Sequence, residues 1–327
     1  MSHATVIGTG VIGAGWVSRL LAQGHDVVAW DPGTEAERKL RESVDTAWPA
    51  LEKIGMVEGA SKARLRFASS LAEACEGAYF IQENAPEREA MKIDLLAEIS
   101  QAAPADALIG SSTSGFKPSV LQQKMVAPER FVVSHPFNPV YLLPLVEVVG
   151  GEQTSAETIE RAQTFFKEIG MHPLHVRNEI DGHLSDRLLE AVWREILHLV
   201  NDGVATTGEL DQAITYGPGI RWAFMGTNLT YHLAGGETGM RHMLEQFGPA
   251  LKLPWTKLEA PELNDTLIDR MVEGTQEQAG DQSIRELEAL RDNCLVRIME
   301  ALSEFEMGAG KVLTDHRKRP NVESIEQ

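Results

Sequence analysis

Six residues near the amino terminus, Gly8-Thr9-Gly10-Val11-Ile12-Gly13, constrain this chain more than any others. They follow the apolar run Thr5-Val6-Ile7 and open a helical pattern from Val11 to Gln23, which Gly24 ends. A second run, Asp26-Val27-Val28-Ala29-Trp30, comes next, so the segment reads as strand, glycine turn, helix, strand. In such a unit Gly8 permits the tight turn, Gly10 lets backbone approach a pyrophosphate, and Gly13 lets helix and strand pack closely. The amides of Val11 and Ile12 and the positive end of the helix dipole suit the phosphates. Asp31, eighteen residues past Gly13, stands where a carboxylate accepts hydrogen bonds from an adenosine ribose. Pro32-Gly33-Thr34 follow, with no Arg to hold a 2′-phosphate, which favours NAD over NADP.

Beyond this unit, apolar runs recur at Leu65–Phe67, Ala78–Ile81, Ala107–Ile109, Phe131–Val133, Leu145–Val149 and His172–Val176. Helical stretches at 34–54, 87–100 and 155–169 separate several of them, and a further short helix is expected at 58–63. Strands alternating with helices predict an α/β fold with a mostly parallel, doubly wound sheet of Rossmann type. After Ile180 the pattern is helical only, giving an expected NAD-binding domain at 1–180 and an all-helical substrate and dimerisation domain at 181–327. Leu184, Leu188, Val192, Ile196 and Leu199 form one stripe at helical spacing, and Leu189, Trp193, Leu197 and Val200 a second. Such a helix is expected to be buried on two sides, between domains or at a subunit contact. The charged tail from Asp315 is expected to fray.

Composition excludes several roles. The net charge of −18 opposes nucleic-acid binding, which needs a basic surface, and disfavours anionic membranes. Two cysteines far apart, Cys75 and Cys294, make neither a disulfide framework nor a metal cluster, so no metal is expected. No run has the length of a membrane span, and the first residues lack the pattern of a signal peptide, so cytoplasm is the expected compartment.

Ligands of open α/β sheets bind beyond the carboxyl ends of the strands. Two loops there carry chemistry: Gly110-Ser111-Ser112-Thr113-Ser114-Gly115 and Ser134-His135-Pro136-Phe137-Asn138-Pro139. His135 is a candidate general base for an alcohol. Glu147, a charge inside the apolar run Leu145–Val149, needs a partner, and an imidazole N–H is a natural one. Taken singly, His135 reads more readily as a structural histidine, and the alternative for Glu147 is an exposed edge-strand carboxylate; together, beside a nicotinamide loop, they read as catalytic.

Together with Pro144-Leu145-Val146-Glu147-Val148-Val149 and Asp186-Arg187-Leu188-Leu189, these motifs resemble the 3-hydroxyacyl-coenzyme A dehydrogenase superfamily over about residues 3 to 220. The resemblance implies that His135 is the base, Glu147 orients it, Ser114 hydrogen-bonds the substrate hydroxyl and Asn138 lies in the active site. It also implies that Glu87 and Lys92 approach the nicotinamide and its ribose, and that the protein is a homodimer. Runs such as Ala47–Lys53, Phe80–Glu89, His135–Gly151, Asn201–Gly208 and Gly235–Trp255 resemble more closely the carnitine-oxidising branch of that superfamily. The implied reaction is oxidation of the 3-hydroxyl of L-carnitine to 3-dehydrocarnitine by NAD. A 3-hydroxyacyl-coenzyme A or other 3-hydroxy acid is the alternative substrate, and a non-catalytic, crystallin-like NAD-binding protein the alternative of another class.

The chain departs from the superfamily at Asp186, where an Asn is usual, and at Asp181-Gly182-His183, where Pro-Gly-Phe is usual. An ionised carboxylate cannot donate a hydrogen bond as the amide does. Asp186 therefore lies near a cationic substrate or pairs with Arg187 or a neighbouring helix. Trp193, Trp222, Phe224 and Tyr231 are candidates to take a trimethylammonium group by cation–π attraction, or else fill a core or a dimer contact.

Overall fold

A computed structural model describes residues 2–223, 225–235, 240–247, 249, 253–257, 264–267, 269, 281–319 and 322–323. The chain divides into two compact units: Met1–Asp186 with Leu295–Glu306 and Gly310–Gln327, and Arg187–Cys294 with Met307–Ala309.

The first unit runs β1 (His3–Ile7), α1 (Val11–Ala22), β2 (Val27–Trp30), α2 (Ala36–Ile54), β3 (Met56–Val57), β4 (Leu65–Phe67), α3 (Leu71–Cys75), β5 (Ala78–Glu83), α4 (Glu89–Ala102), β6 (Leu108–Ser111), α5 (Pro118–Leu121), β7 (Phe131–Pro136), β8 (Leu145–Val149), α6 (Ala156–Glu168) and β9 (His172–Val176). Eight strands form one sheet in the order β4-β2-β1-β5-β6-β7-β8-β9. The chain leaves β1 toward one edge and returns at β5 on the other side, so the switch point lies between β1 and β5, at the glycine loop. All pairings are parallel except β7 with β8. The connection 137–144 is too short for a crossover helix, so β8 must return antiparallel. Ile7, Ile81, Ile109, Phe131 and Val133 of the sheet pack with Leu96 and Ile99 of α4 in a buried core.

Every expected strand is present, as are the helices at α1, α2, α4 and α6. The helix expected at 58–63 is absent. Gly59 adopts a φ of +80°, and Ser61 Oγ caps a single 3-10 turn at Lys62–Arg64 by accepting from Ala63 N. These local devices reverse the chain after β3 and override the weak helical pattern.

The helical segment contains α7 (Ser185–Asn201), α8 (Thr207–Thr215), α9 (Pro218–Trp222), α10 (Thr227–Ala234), α11 (Met240–Phe247) and α12 (Ile284–Ser303) among the described residues. Leu197 and Val200 of α7 bury with Leu267 in a small core. On the single chain Leu188 is 73% exposed, Leu189 55% and Trp193 43%, so these side chains of the α7 stripes are not covered by the chain's own described residues.

The tail also differs from expectation over 315–319 and 322–323; the rest of the stretch expected to fray lies outside the described residues. α13 (Gly308–Arg317) and β10 (Val322–Glu323) pack on the first unit, β10 pairing antiparallel with β3. His316 is buried and donates from Nε2 to Gly55 O. Arg317 donates to the carbonyls of Lys53 and Ile54, and Arg319 to those of Lys167 and Glu168. The basic residues are thus caps for the carboxyl ends of α2 and α6, which is why the charge pattern misleads.

Candidate active site

The cofactor loop follows from backbone geometry. Gly8 has a φ of +82°, and a Cβ there would lie 2.8 Å from the Asn84 backbone. A Cβ on Gly13 would lie 1.9 Å from Gly8 O, whereas nothing lies within 4 Å of one on Gly10. Gly8 and Gly13 are therefore demanded by the fold, and Gly10 leaves open space at the start of α1. The first amides of α1, including those of Val11 and Ile12, have no acceptor within the helix. Asp31 Oδ2 accepts from Thr9 N at 2.8 Å and Oδ1 from Gly33 N at 2.9 Å, so the end of β2 is fixed against the glycine loop. A cavity of about 640 Å³ opens beside them, lined by Gly8, Gly10, Asp31, Pro86, Met91 and Leu95 among others. Its lining suits a dinucleotide: amides for phosphate, a carboxylate for ribose, and apolar side chains for a base.

A polar network covers the carboxyl ends of β5 and β6. Lys92, 1% exposed, donates from Nζ to both oxygens of buried Glu83, at 2.9 and 3.1 Å, and lies 3.5 Å from Glu87. Glu83 also accepts from Ala85 N and Ser111 Oγ. Glu87 Oε1 accepts from Thr113 Oγ1 and from Ser114 N at 3.0 Å. Glu87 thus sets the loop that carries exposed Ser114. Glu83 and Thr113 escaped the sequence reading, although a Glu at the end of an apolar strand with a Lys nine residues on is a readable signal.

The strand register places His135 directly opposite Glu147 on the antiparallel pair β7–β8. Opposed residues share one sheet face, so the imidazole and carboxylate must meet. His135 Nδ1 is 3.0 Å from Glu147 Oε2. Glu147 is fully buried, and its Oε1 accepts from the amides of Leu184 and Ser185 at 2.9 and 3.0 Å. Burial pushes its carboxyl pKa up, but the His135 hydrogen bond, the two amides and the nearby imidazole charge outweigh that, so the pKa stays below the ordinary carboxylate value. A carboxylate held ionised fixes Nδ1 as the protonated nitrogen and turns Nε2 outward as an acceptor. Asp186 Oδ2 lies 3.7 Å from that Nε2.

His183 is also here, completely buried at a φ of +46°, its ring 5.6 Å from that of His135. Its Nε2 donates to Thr113 O, and Gly182 N donates to Gly115 O, so both sides of Ser114 are tied to the segment that leads into α7. Burial first, and His135 next, lower the His183 pKa and keep the ring neutral. Asn138 is exposed in the connection after His135. Trp193, Trp222 and Tyr231 belong to the second unit and are 43%, 44% and 47% exposed. Phe224 lies outside the described residues.

Residues 3–180 match the NAD binding domain of 3-hydroxyacyl-CoA dehydrogenase, and residues 182–280 its C-terminal domain. The chain is 60% identical to an L-carnitine dehydrogenase of Pseudomonas putida over 94% of its length and 96% of the relative's. It is 59% identical to one of Bacillus cereus over 94% of its length and 95% of the relative's. Among solved structures, 5-formyl-3-hydroxy-2-methylpyridine 4-carboxylic acid 5-dehydrogenase, an NAD+ dependent dismutase, superposes with a TM-score of 0.76 at 25% identity, over 91% of this chain and 97% of that one. The chain belongs to the 3-hydroxyacyl-CoA dehydrogenase family.

Proposed function

We propose that this protein oxidises the 3-hydroxyl of L-carnitine to 3-dehydrocarnitine with NAD. The likeness to L-carnitine dehydrogenases along nearly their whole length carries the choice of substrate. The His135–Glu147 pair carries the chemistry. Gly8, Gly10, Gly13 and the amides of Val11 and Ile12 hold the pyrophosphate, Asp31 the adenosine ribose, and Glu87 and Lys92 flank the nicotinamide half. The chemistry supplied by bound NAD is hydride acceptance. His135 Nε2 takes the proton of the alcohol, and Glu147 offsets the charge of the resulting imidazolium. Ser114, fixed by Glu87 and by the residues tied to 182–183, orients the hydroxyl, and Asn138, exposed in the connection after His135, is assigned to the substrate site. Trp193, Trp222 and Tyr231 present exposed faces of the kind that hold a trimethylammonium group.

The exposed apolar side chains of α7 suit the contact of a homodimer, with 181–327 as the substrate and dimerisation region. A cytoplasmic setting accords with Cys75 and Cys294 both being free thiols, and no helix among the described residues is long and apolar enough to cross a membrane.

Turnover with L-carnitine and with 3-hydroxybutyryl-coenzyme A, read as NADH absorbance, tests the substrate. A kcat/KM for L-carnitine at least about a hundredfold higher is expected, given how poorly an acidic surface suits a phosphate-bearing thioester. Preference for the thioester would transfer the site to the acyl-coenzyme A reading.

A further inference from the structure

The nitrogen that must receive the alcohol proton has a second carboxylate beside it. Glu147 engages Nδ1 of His135, while Asp186 stands 3.7 Å from Nε2, on the side left for substrate. Asp186 keeps 28% of its side chain exposed, and its distance from Nε2 puts it near any alcohol that hydrogen-bonds that nitrogen. An ionised carboxylate there has two electrostatic consequences. It stabilises the imidazolium formed when Nε2 takes the proton. It also repels negative charge that builds on the substrate oxygen, unless the substrate carries a cation of its own close by. A substrate with a quaternary ammonium on the carbon next to the carbinol brings that cation within the same few ångströms. A substrate with an alkyl group there brings no such charge.

We infer that Asp186 is the specificity-determining residue that makes the site select an alcohol with positive charge on the adjacent carbon. The inference rests on the carnitine reading and gives the selection a group in the same unit as the catalytic pair. It also separates two kinds of recognition. Aromatic faces reward size and polarisability as well as charge, whereas the Asp186 carboxylate rewards charge alone.

The test compares L-carnitine with 3-hydroxy-5,5-dimethylhexanoate, in which carbon replaces the quaternary nitrogen without changing shape. The ratio of their kcat/KM values cancels any effect of Asp186 on the basicity of His135, because both substrates use the same base. In the full-length protein we expect a ratio of about thirty or more for wild type. Asp186→Asn is expected to lower that ratio at least about tenfold, chiefly by raising KM for L-carnitine, and Asp186→Glu to keep more of it than Asn does. NADH binding, followed by fluorescence, checks that each variant is folded. A wild-type ratio retained in a folded Asp186→Asn variant overturns the inference while leaving the carnitine reading intact. Failure of wild type to oxidise L-carnitine overturns the reading and the inference together.

Discussion

Two neighbouring glycines in the cofactor loop do different work, and substitution separates them. A methyl on Gly13 meets Gly8 O at 1.9 Å and has nowhere to go, while a methyl on Gly10 meets no protein atom within 4 Å. Gly13→Ala is therefore expected to destabilise the fold by roughly 2 kcal/mol, the ordinary cost of overpacking, in thermal or urea denaturation. Gly10→Ala should melt as wild type does and bind NADH at least about tenfold more weakly, because the methyl enters the space left for pyrophosphate. A Gly10→Ala protein with normal NADH affinity would contradict the assignment of that space. The loop was legible in the sequence because its spacing encodes backbone constraints. His135 and Glu147 were legible for a related reason: each is a polar residue inside an apolar strand, and strand register then forces them together. Glu83, Thr113 and His183 were not foreseen. Thr113 meets Glu87 26 residues away and His183 meets Thr113 70 residues away along the chain, which local pattern does not reveal.

At the scale of elements, strands were the most readable part of the molecule, since a buried parallel strand must be a short apolar run. The carboxyl-terminal helix and strand were the least readable. Their charges are used as caps on α2 and α6, and a capping Arg looks in sequence like a solvated one. His316 gives this packing a pH signature. Burial lowers its pKa from 6.5 to about 4, with Gly55 O opposing and the nearby Arg charges adding. The unfolded chain therefore binds the extra proton between these values, so the stabilising effect is complete above pH 6.5 and is lost as pH falls toward 4. Relative to a His316→Gln variant, wild type should lose on the order of 2 kcal/mol more stability between pH 7 and pH 4. Parallel Tm–pH curves for the two proteins would refute the buried position of His316.

The whole chain is acidic, with a net charge of −18, and is organised as two compact units. A change from alternating to purely helical pattern announced the second unit, whereas the return of residues 295–306 and 310–327 to the first gave no local signal. The exposed leucines of α7 lead to an expectation at this scale: sedimentation of wild type at about twice the 35.9 kDa chain mass, and a shift to monomer in a Leu188→Glu, Leu189→Glu double variant. A monomeric wild type would leave those side chains without a partner. The central claim, that the cross-strand His–Glu pair withdraws the proton of the carnitine hydroxyl, meets its most direct test in NADH formation from L-carnitine and NAD by wild type and by His135→Gln. The Gln amide has no basic nitrogen to accept the proton. The account predicts a kcat lower by at least about a thousandfold with NADH affinity unchanged, and turnover within tenfold of wild type would contradict it.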